Sequence, residues 1–330
     1  MNKLIDPYQR HITYLRISIT DRCNLRCTYC MPPEGVSQLI HDDILRYEEI
    51  VRIARIAVSE GITRIRITGG EPLVRKGVVN LVSWLSQLQG IEDLSMTTNG
   101  ILLSEFARPL KEAGLKRVNI SMDSLQPELF GEITRGGDLS KVWKGIVAAS
   151  EAGLKPVKIN VVVIKGFNED EILEFAKLTL NFDFQIRFIE FMPVGTQNGW
   201  HQEKYFSCTE IRNAIEKYYR LTPLIVRGNT SGPAVLCQLE GAQGSIGFIN
   251  AISNHFCATC NRLRLTADGK LRPCLFSDAE IDIRMALRNG ESDQKLKELL
   301  HSAIFNKPEG HTIAEPTFRK CAREMISIGG

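Results

Sequence analysis

From residue 14 to about 195, short apolar-rich runs alternate with stretches of helical hydrophobic spacing. The runs YLRISIT (14–20), ITRIRIT (62–68), DLSMTT (93–98), KRVNIS (116–121), PVKINVVVI (156–164) and FQIRFIEF (184–191) predict six strands. Helical periodicity at 47–59, 77–89, 104–113, 140–152 and 169–180 fills the gaps between them. This alternation implies an α/β fold with a parallel sheet and right-handed crossovers. About six such units can curl into an open barrel, and a doubly wound open sheet satisfies the same alternation.

After Phe191 the pattern changes. MPVGTQNGW reads as a loop, followed by a helix around 207–219 and short β segments at LIVR, AVLCQL and SIGFI. Ala267-Asp268-Gly269-Lys270 marks a hairpin, and helices are predicted near 281–289 and 293–305. The change of pattern divides the chain into a first domain, 1–200, and a smaller α+β domain, 201–330. The polar and glycine-rich segments of the first domain all follow strands: CNLRCTYC the first, GGEP the second, TTNG the third and SMDS the fourth. Ligands of parallel α/β folds sit at the carboxyl ends of strands, so these loops point to one rim and one active site.

The chain has 330 residues and a net charge of only +3, which gives no reason to expect a nucleic-acid partner. No run is long and apolar enough to span a membrane, and MNKLIDPYQRH lacks the apolar stretch of a secretory signal. A cytoplasmic protein is expected. In that compartment nine cysteines do not form a disulfide framework. Six fall in two triplets: Cys23, Cys27, Cys30 and Cys257, Cys260, Cys274. Cys208, Cys237 and Cys321 stand alone and read as small buried hydrophobes or surface thiols.

Three thiolates on one short loop suit three corners of a [4Fe–4S] cube and leave its fourth iron open, as a catalytic metal centre requires. A zinc site completed by a distant histidine is the blander alternative. With Tyr29 before its last cysteine, and with Gly69-Gly70-Glu71-Pro72 after the second strand, the first triplet resembles the radical S-adenosylmethionine (SAM) superfamily. The resemblance implies a partial (β/α)6 TIM-like barrel in which the open iron chelates SAM. Reductive cleavage of SAM then releases a 5′-deoxyadenosyl radical. Adjacent glycines let backbone approach the methionine moiety, and Glu71 fixes the local backbone.

The second triplet, in FCATCNRLRLTADGKLRPC, spans a hairpin that returns Cys274 beside Cys257 and Cys260. Spacing alone leaves zinc, with His255 as a fourth ligand, and a second cluster equally open; the first triplet tips the balance to a cluster. Arg262 and Arg264 alternate across Leu263, so their guanidiniums share a face suited to a triphosphate or purine. The two triplets, CNRLR and the terminal Gly329-Gly330 are similar to the GTP 3′,8-cyclase family, over nearly the whole chain.

That resemblance implies two [4Fe–4S] clusters, SAM and GTP. Hydrogen is taken from the ribose C3′, and C3′ then bonds to guanine C8, a step of molybdenum cofactor biosynthesis. It places GTP on Arg16, Arg66, Thr97, Lys158, Arg262, Leu263 and Arg264, and SAM on Tyr29, Gly70, Glu71, Ser121 and Met192. Asp123 either bonds a ribose or caps its segment. Arg16, Arg262, Arg264, Gly329 and Gly330 take the catalytic roles, the glycine tail reaching into the site. Independently, Arg16 and Arg66 lie within strands, where a charge is costly unless paired, and converging cations neutralise a triphosphate. The family also implies a low-potential electron donor and hand-off of product to cyclic pyranopterin monophosphate synthase. No heptad seam fixes the oligomeric state, and a homodimer stays open. The rival readings are a peptide-modifying radical SAM enzyme, which would carry a longer C-terminal cysteine array, and a zinc-stabilised binding or electron-transfer protein.

Overall fold

A computed structural model describes residues 4–225, 232–313, 315 and 318–329. The alternation becomes β1 (Tyr14–Ser18), α1 (Tyr47–Ser59), β2 (Arg64–Thr68), α2 (Val78–Ser86), β3 (Asp93–Thr98), α3 (Leu103–Glu112) and β4 (Arg117–Ser121). It continues through α4 (Pro127–Thr134), α5 (Leu139–Glu151), β5 (Val157–Val163), α6 (Ile172–Asn181) and β6 (Phe184–Glu190). The second part holds α7 (Cys208–Glu216), β7 (Leu221–Pro223), β8 (Val235–Leu239) and β9 (Ser245–Ile249). The hairpin β10 (Arg262–Leu265) and β11 (Lys270–Arg272), then β12 (Ile281–Asp282), α8 (Ile283–Arg288), α9 (Asp293–Phe305) and α10 (Met325–Ile328) complete it.

All strands join one sheet in the order β12-β11-β10-β1-β2-β3-β4-β5-β6-β9-β8-β7. β1 to β6 are parallel and stand in chain order. A doubly wound sheet needs a switch point where strand order reverses. None occurs from β1 to β6, so the doubly wound alternative falls and the partial barrel stands. Two strands of the second part extend the parallel core: β10 lies parallel to β1, and β9 parallel to β6. The second part therefore builds both flanks of the sheet.

The period of two divides each strand. On β1 and β2, Leu15, Ile17, Ile65 and Ile67 are fully buried and join the hydrophobic core. Alternate positions carry Tyr14, Arg16, Arg64 and Arg66, which line a central cavity. Register then sets charges side by side, since Arg16 is level with Arg66 on β2 and with Arg264 on β10.

Two expectations are corrected. Leu224 and Ile225 of LIVR stand outside any strand: β7 lies just before them, pairing Leu221 with Leu239, and Ile225 is 92 % exposed. Leu221 is the apolar residue of that stretch that reaches the core, so it fixes the edge strand's position. Val226 and Arg227 lie outside the described residues. The span between β4 and β5 holds two helices; α4 starts with Pro127 in its first turn, a helix-start signal. No helix among the described residues is long and apolar enough to cross a membrane.

Candidate active site

A cavity of about 290 Å³ runs along the inner face of the strands, from their carboxyl ends to their amino ends at Tyr14, Arg64 and Arg117. The loop after β1 brings Cys23, Cys27, Tyr29 and Cys30 to it, the loop after β2 brings Gly69 and Gly70, and β3 with its loop brings Thr97, Thr98 and Asn99. Ser121 ends β4, and Asp123 and Met192 follow β4 and β6. Because β10 runs parallel to β1 with Arg262 level with Tyr14, Cys257 and Cys260 before β10 and Cys274 after the antiparallel β11 line the same cavity at the amino end of β1, opposite the first triplet. Met325 and Ile326 of α10 line it too, so the chain's end is part of the wall.

Burial holds the ligand-free thiols of the first triplet in their protonated form. It pushes Cys23 up to about 11 and raises Cys27 and Cys30 as well. Sulfur-directed donors already wait at Cys23, where Leu25 N lies at 3.3 Å and Asn99 Nδ2 at 3.8 Å. In the second triplet burial also raises Cys260, but Arg262 and Lys307 outweigh it and draw the thiol down to about 6. Among the described residues, His255, Cys257 and His311 alone bring three metal-ligating side chains within 4.8 Å of one another. Neither cysteine triplet is so close. Thiolates on a single zinc ion sit about 3.8 Å apart at its usual bond length. The wider triplets fit a metal–sulfide cluster better than a lone ion.

Among the described residues, nine cationic side chains line the cavity: Arg16, Arg64, Arg66, Arg117, Lys158, Arg187, Arg262, Arg264 and Lys307. One carboxylate, Asp123, faces them. A chain with net charge +3 has therefore gathered its cations here, and a polyanion fits. The crowding is costly without one. Burial and neighbouring guanidiniums push Lys158 down to about 6, Arg187 to about 9 and Arg264 to about 10. Thr97 Oγ1, Asn160 Oδ1 and Tyr14 Oη are buried without hydrogen-bond partners, and all three residues line the cavity. Such groups suit a polar ligand.

The sequence was compared with known proteins. The Radical SAM superfamily matches residues 17–179 and Molybdenum Cofactor Synthesis C matches 184–313. A GTP 3′,8-cyclase of Thermodesulfovibrio yellowstonii is 54 % identical over 327 residues, 98 % of this chain and 99 % of that one. Another, from Moorella thermoacetica, is 54 % identical over 325 residues, with the same coverage. This chain belongs to the GTP 3′,8-cyclase family. It is a radical SAM enzyme, and membership of that superfamily implies one [4Fe–4S] cluster and SAM. Streptococcus suis SuiB bound to S-adenosylmethionine shares the fold, with TM-score 0.61 and 17 % identity over 88 % of this chain and 68 % of that one.

Most residues singled out for this family's chemistry line the cavity: the six triplet cysteines, Arg16, Tyr29, Arg66, Gly70, Thr97, Ser121, Lys158, Met192, Arg262 and Arg264. Three of the described ones, Leu263, Glu71 and Gly329, are outside the lining. Leu263 alternates away from its arginine neighbours and is 1 % exposed in the hydrophobic core. Glu71 is outside the lining, because its carboxylate accepts from Leu73 N at 3.0 Å, Thr98 Oγ1 at 2.8 Å and Asn99 N at 2.7 Å. Glu71 thus ties the loop after β2 to the loop after β3, the backbone-fixing role expected of it. Gly329 accepts from Arg264 Nη1 at 2.9 Å. Gly330 lies outside the described residues.

Asp123 does not hang free for a ribose. It accepts from Tyr29 Oη at 2.5 Å and Val162 N at 2.7 Å, which orients the tyrosine of the first triplet. Sequence reasoning missed Arg64, Arg117, Arg187 and Lys307. The alternation that pointed to Arg16 and Arg66 applies equally to Arg64 and Arg187 on their strands. Lys307 follows a helix in an irregular stretch and carries no such signal.

Proposed function

We propose that the chain converts GTP to (8S)-3′,8-cyclo-7,8-dihydroguanosine 5′-triphosphate in molybdenum cofactor biosynthesis, using a second [4Fe–4S] cluster at Cys257, Cys260 and Cys274. One observation carries this: two cysteine triplets and nine cations against one carboxylate share a single cavity. When bound, the first cluster and SAM would supply a 5′-deoxyadenosyl radical able to take hydrogen from C3′, and closing C3′ onto C8 as a 7,8-dihydro product would also need one electron and one proton. The chain's own part is to bind, orient and exclude water. Tyr29, Gly70, Ser121 and Met192 would hold SAM beside the first triplet. Arg16, Arg66, Lys158, Arg262 and Arg264 would neutralise the triphosphate, and Thr97 would donate its unpartnered hydroxyl. Arg264, fixed by the Gly329 carbonyl, would keep the reacting ribose in place. We place the division between the two domains near residue 200; the two matched families, ending at 179 and starting at 184, support a nearby boundary. A low-potential electron donor, hand-off to cyclic pyranopterin monophosphate synthase, a cytoplasmic setting and homodimerisation belong to the same proposal.

His255, Cys257 and His311 favour a second reading, a single zinc ion at the second triplet's edge. Anaerobic reconstitution with metal and sulfide analysis separates the two. Two clusters give about eight iron atoms per chain, whereas zinc with about four iron atoms supports the alternative. Incubation with SAM, reductant and nucleotide then tests the substrate. 5′-Deoxyadenosine formed with GTP and not with ATP is expected, and the reverse overturns the assignment.

A further inference from the structure

Two buried cations sit behind the second triplet. Lys307 is 4 % exposed, and its ammonium donates to the carbonyl of Arg262 at 2.9 Å and to that of Pro273. Pro273 precedes Cys274, and Arg262 lies two residues after Cys260. One ammonium therefore ties the start of β10 to the residue after β11, next to the segments that carry those cysteines. It does so where the ladder between the two strands stops. β10 and β11 pair at Leu265–Leu271 and Arg264–Arg272, and the next residue, Pro273, has no N–H to extend the pairing.

Arg10 reaches the third cysteine from the other end of the chain. Its guanidinium donates to the carbonyls of Cys257 at 2.8 Å, Glu309 at 2.7 Å and Pro308 at 2.6 Å. The Asp6 carboxylate fixes its Nε at 2.5 Å. Arg10 thus couples the Cys257 segment to the two residues that follow Lys307. Holding three thiols from two separate segments together costs chain entropy, and their ionisation on metal binding adds like-charge repulsion. Cations that also crosslink the backbone oppose both costs.

We propose that Arg10 and Lys307 are positioning residues, a two-cation brace that sets Cys257, Cys260 and Cys274 ready for iron before any metal arrives. The inference rests on the second triplet being a cluster site.

The test uses the full chain with Cys23, Cys27 and Cys30 replaced by Ala, so that uptake reports the second triplet alone. Iron and sulfide are counted after anaerobic reconstitution, and Co²⁺ is titrated into the metal-free chain by its thiolate charge-transfer absorption. Lys307→Met is expected to weaken Co²⁺ binding about tenfold or more and to lower iron uptake in proportion, with recovery in Lys307→Arg. Arg10→Met should act in the same direction. If the parent takes up no iron, the cluster reading fails and the brace with it. If the parent loads fully and Lys307→Met loads equally with unchanged Co²⁺ affinity, the brace alone is overturned. Restoring the first triplet checks the fold: a variant that loads it and binds SAM like the parent is folded. Should Lys307→Met fail that check, Arg10→Lys decides by the same two measurements, because it keeps the charge and loses the forked reach.

Discussion

Arg264 on β10 donates to the carbonyl of Gly329, tying the wall of the cavity to the last described residue of the chain. A side chain at Gly329 has nowhere to go. Its Cβ would stand 2.6 Å from Thr68 Oγ1 and 2.7 Å from Ser18 Cβ, at a φ of +83°. Gly329→Ala should therefore move the tail off Arg264 without touching the core. Since misplacement of about an ångström can cost a hundredfold in rate, GTP cyclisation should fall by about that much. SAM cleavage without product should persist. The ratio of 5′-deoxyadenosine to cyclised product checks this, and an unchanged ratio at full rate removes the tail from the chemistry.

Lys158 gives the site a pH signature. Burial, then Arg187, Arg117 and Arg66, push its ammonium down to about 6 from an ordinary 10.5. In the free protein the unfolded chain keeps this proton to about 10.5 and the native chain only to about 6, so on this group's account stability rises with pH between those values. A bound triphosphate favours the charged form and raises the value again. The complex then holds a proton that the free site lacks, so GTP affinity falls as pH rises from about 6. Calorimetry in buffers of different ionisation enthalpy should show proton uptake on binding. Comparison with Lys158→Met cancels the nucleotide's own titration, and equal uptake in both proteins counts against the assignment.

Much of this was legible because it is periodic. α1 and β3 fall on the residues that their patterns predict, and Arg262 with Arg264 share a face because strands alternate. The parallel pairing of β10 with β1 was not legible, since no local pattern records which strand a distant hairpin meets. That pairing sets the second triplet across the same cavity from the first, at the opposite ends of the strands. The motif implied that Glu71 fixes local backbone but not that it reaches the loop after β3, and it did not show that alternation turns the Leu263 side chain into the core. Arg10 and Lys307 act from aperiodic stretches on backbone carbonyls, a partner that leaves no trace in sequence.

Glu190, at the end of β6, is fully buried and accepts from Cys208 N at 3.0 Å, Ile252 N at 2.7 Å and Ser253 N at 3.0 Å, besides Ser253 Oγ. It anchors the segment leading to the second triplet. Glu190→Ala leaves three backbone donors unpaired at roughly 1–3 kcal/mol each, so stability should drop by about 3 kcal/mol or more. Denaturant unfolding of the metal-free chain measures this. A loss below about 1 kcal/mol would show that water takes the donors over.

Gly70 separates close packing from backbone freedom. Its N–H donates to Thr20 O at 2.7 Å, and a Cβ there would sit 2.4 Å from Arg22 O and 2.7 Å from Arg22 C. Both are backbone atoms directly before Cys23, so no side-chain rotation relieves the clash. Gly70→Ala should part the glycine loop from the cysteine loop and weaken SAM binding about tenfold or more, for the same reason that small misplacements are costly. Iron uptake at the first triplet should be nearly unchanged, because the cysteines themselves remain. Gly131 in α4 is the control, since the nearest atom to its added Cβ is Gly137 O at 4.0 Å. Gly131→Ala should leave SAM binding intact and stabilise the chain by about 0.5–1 kcal/mol. Calorimetric SAM titration of both reconstituted variants decides the matter; equal affinities would mean that the loops part without consequence for the ligand.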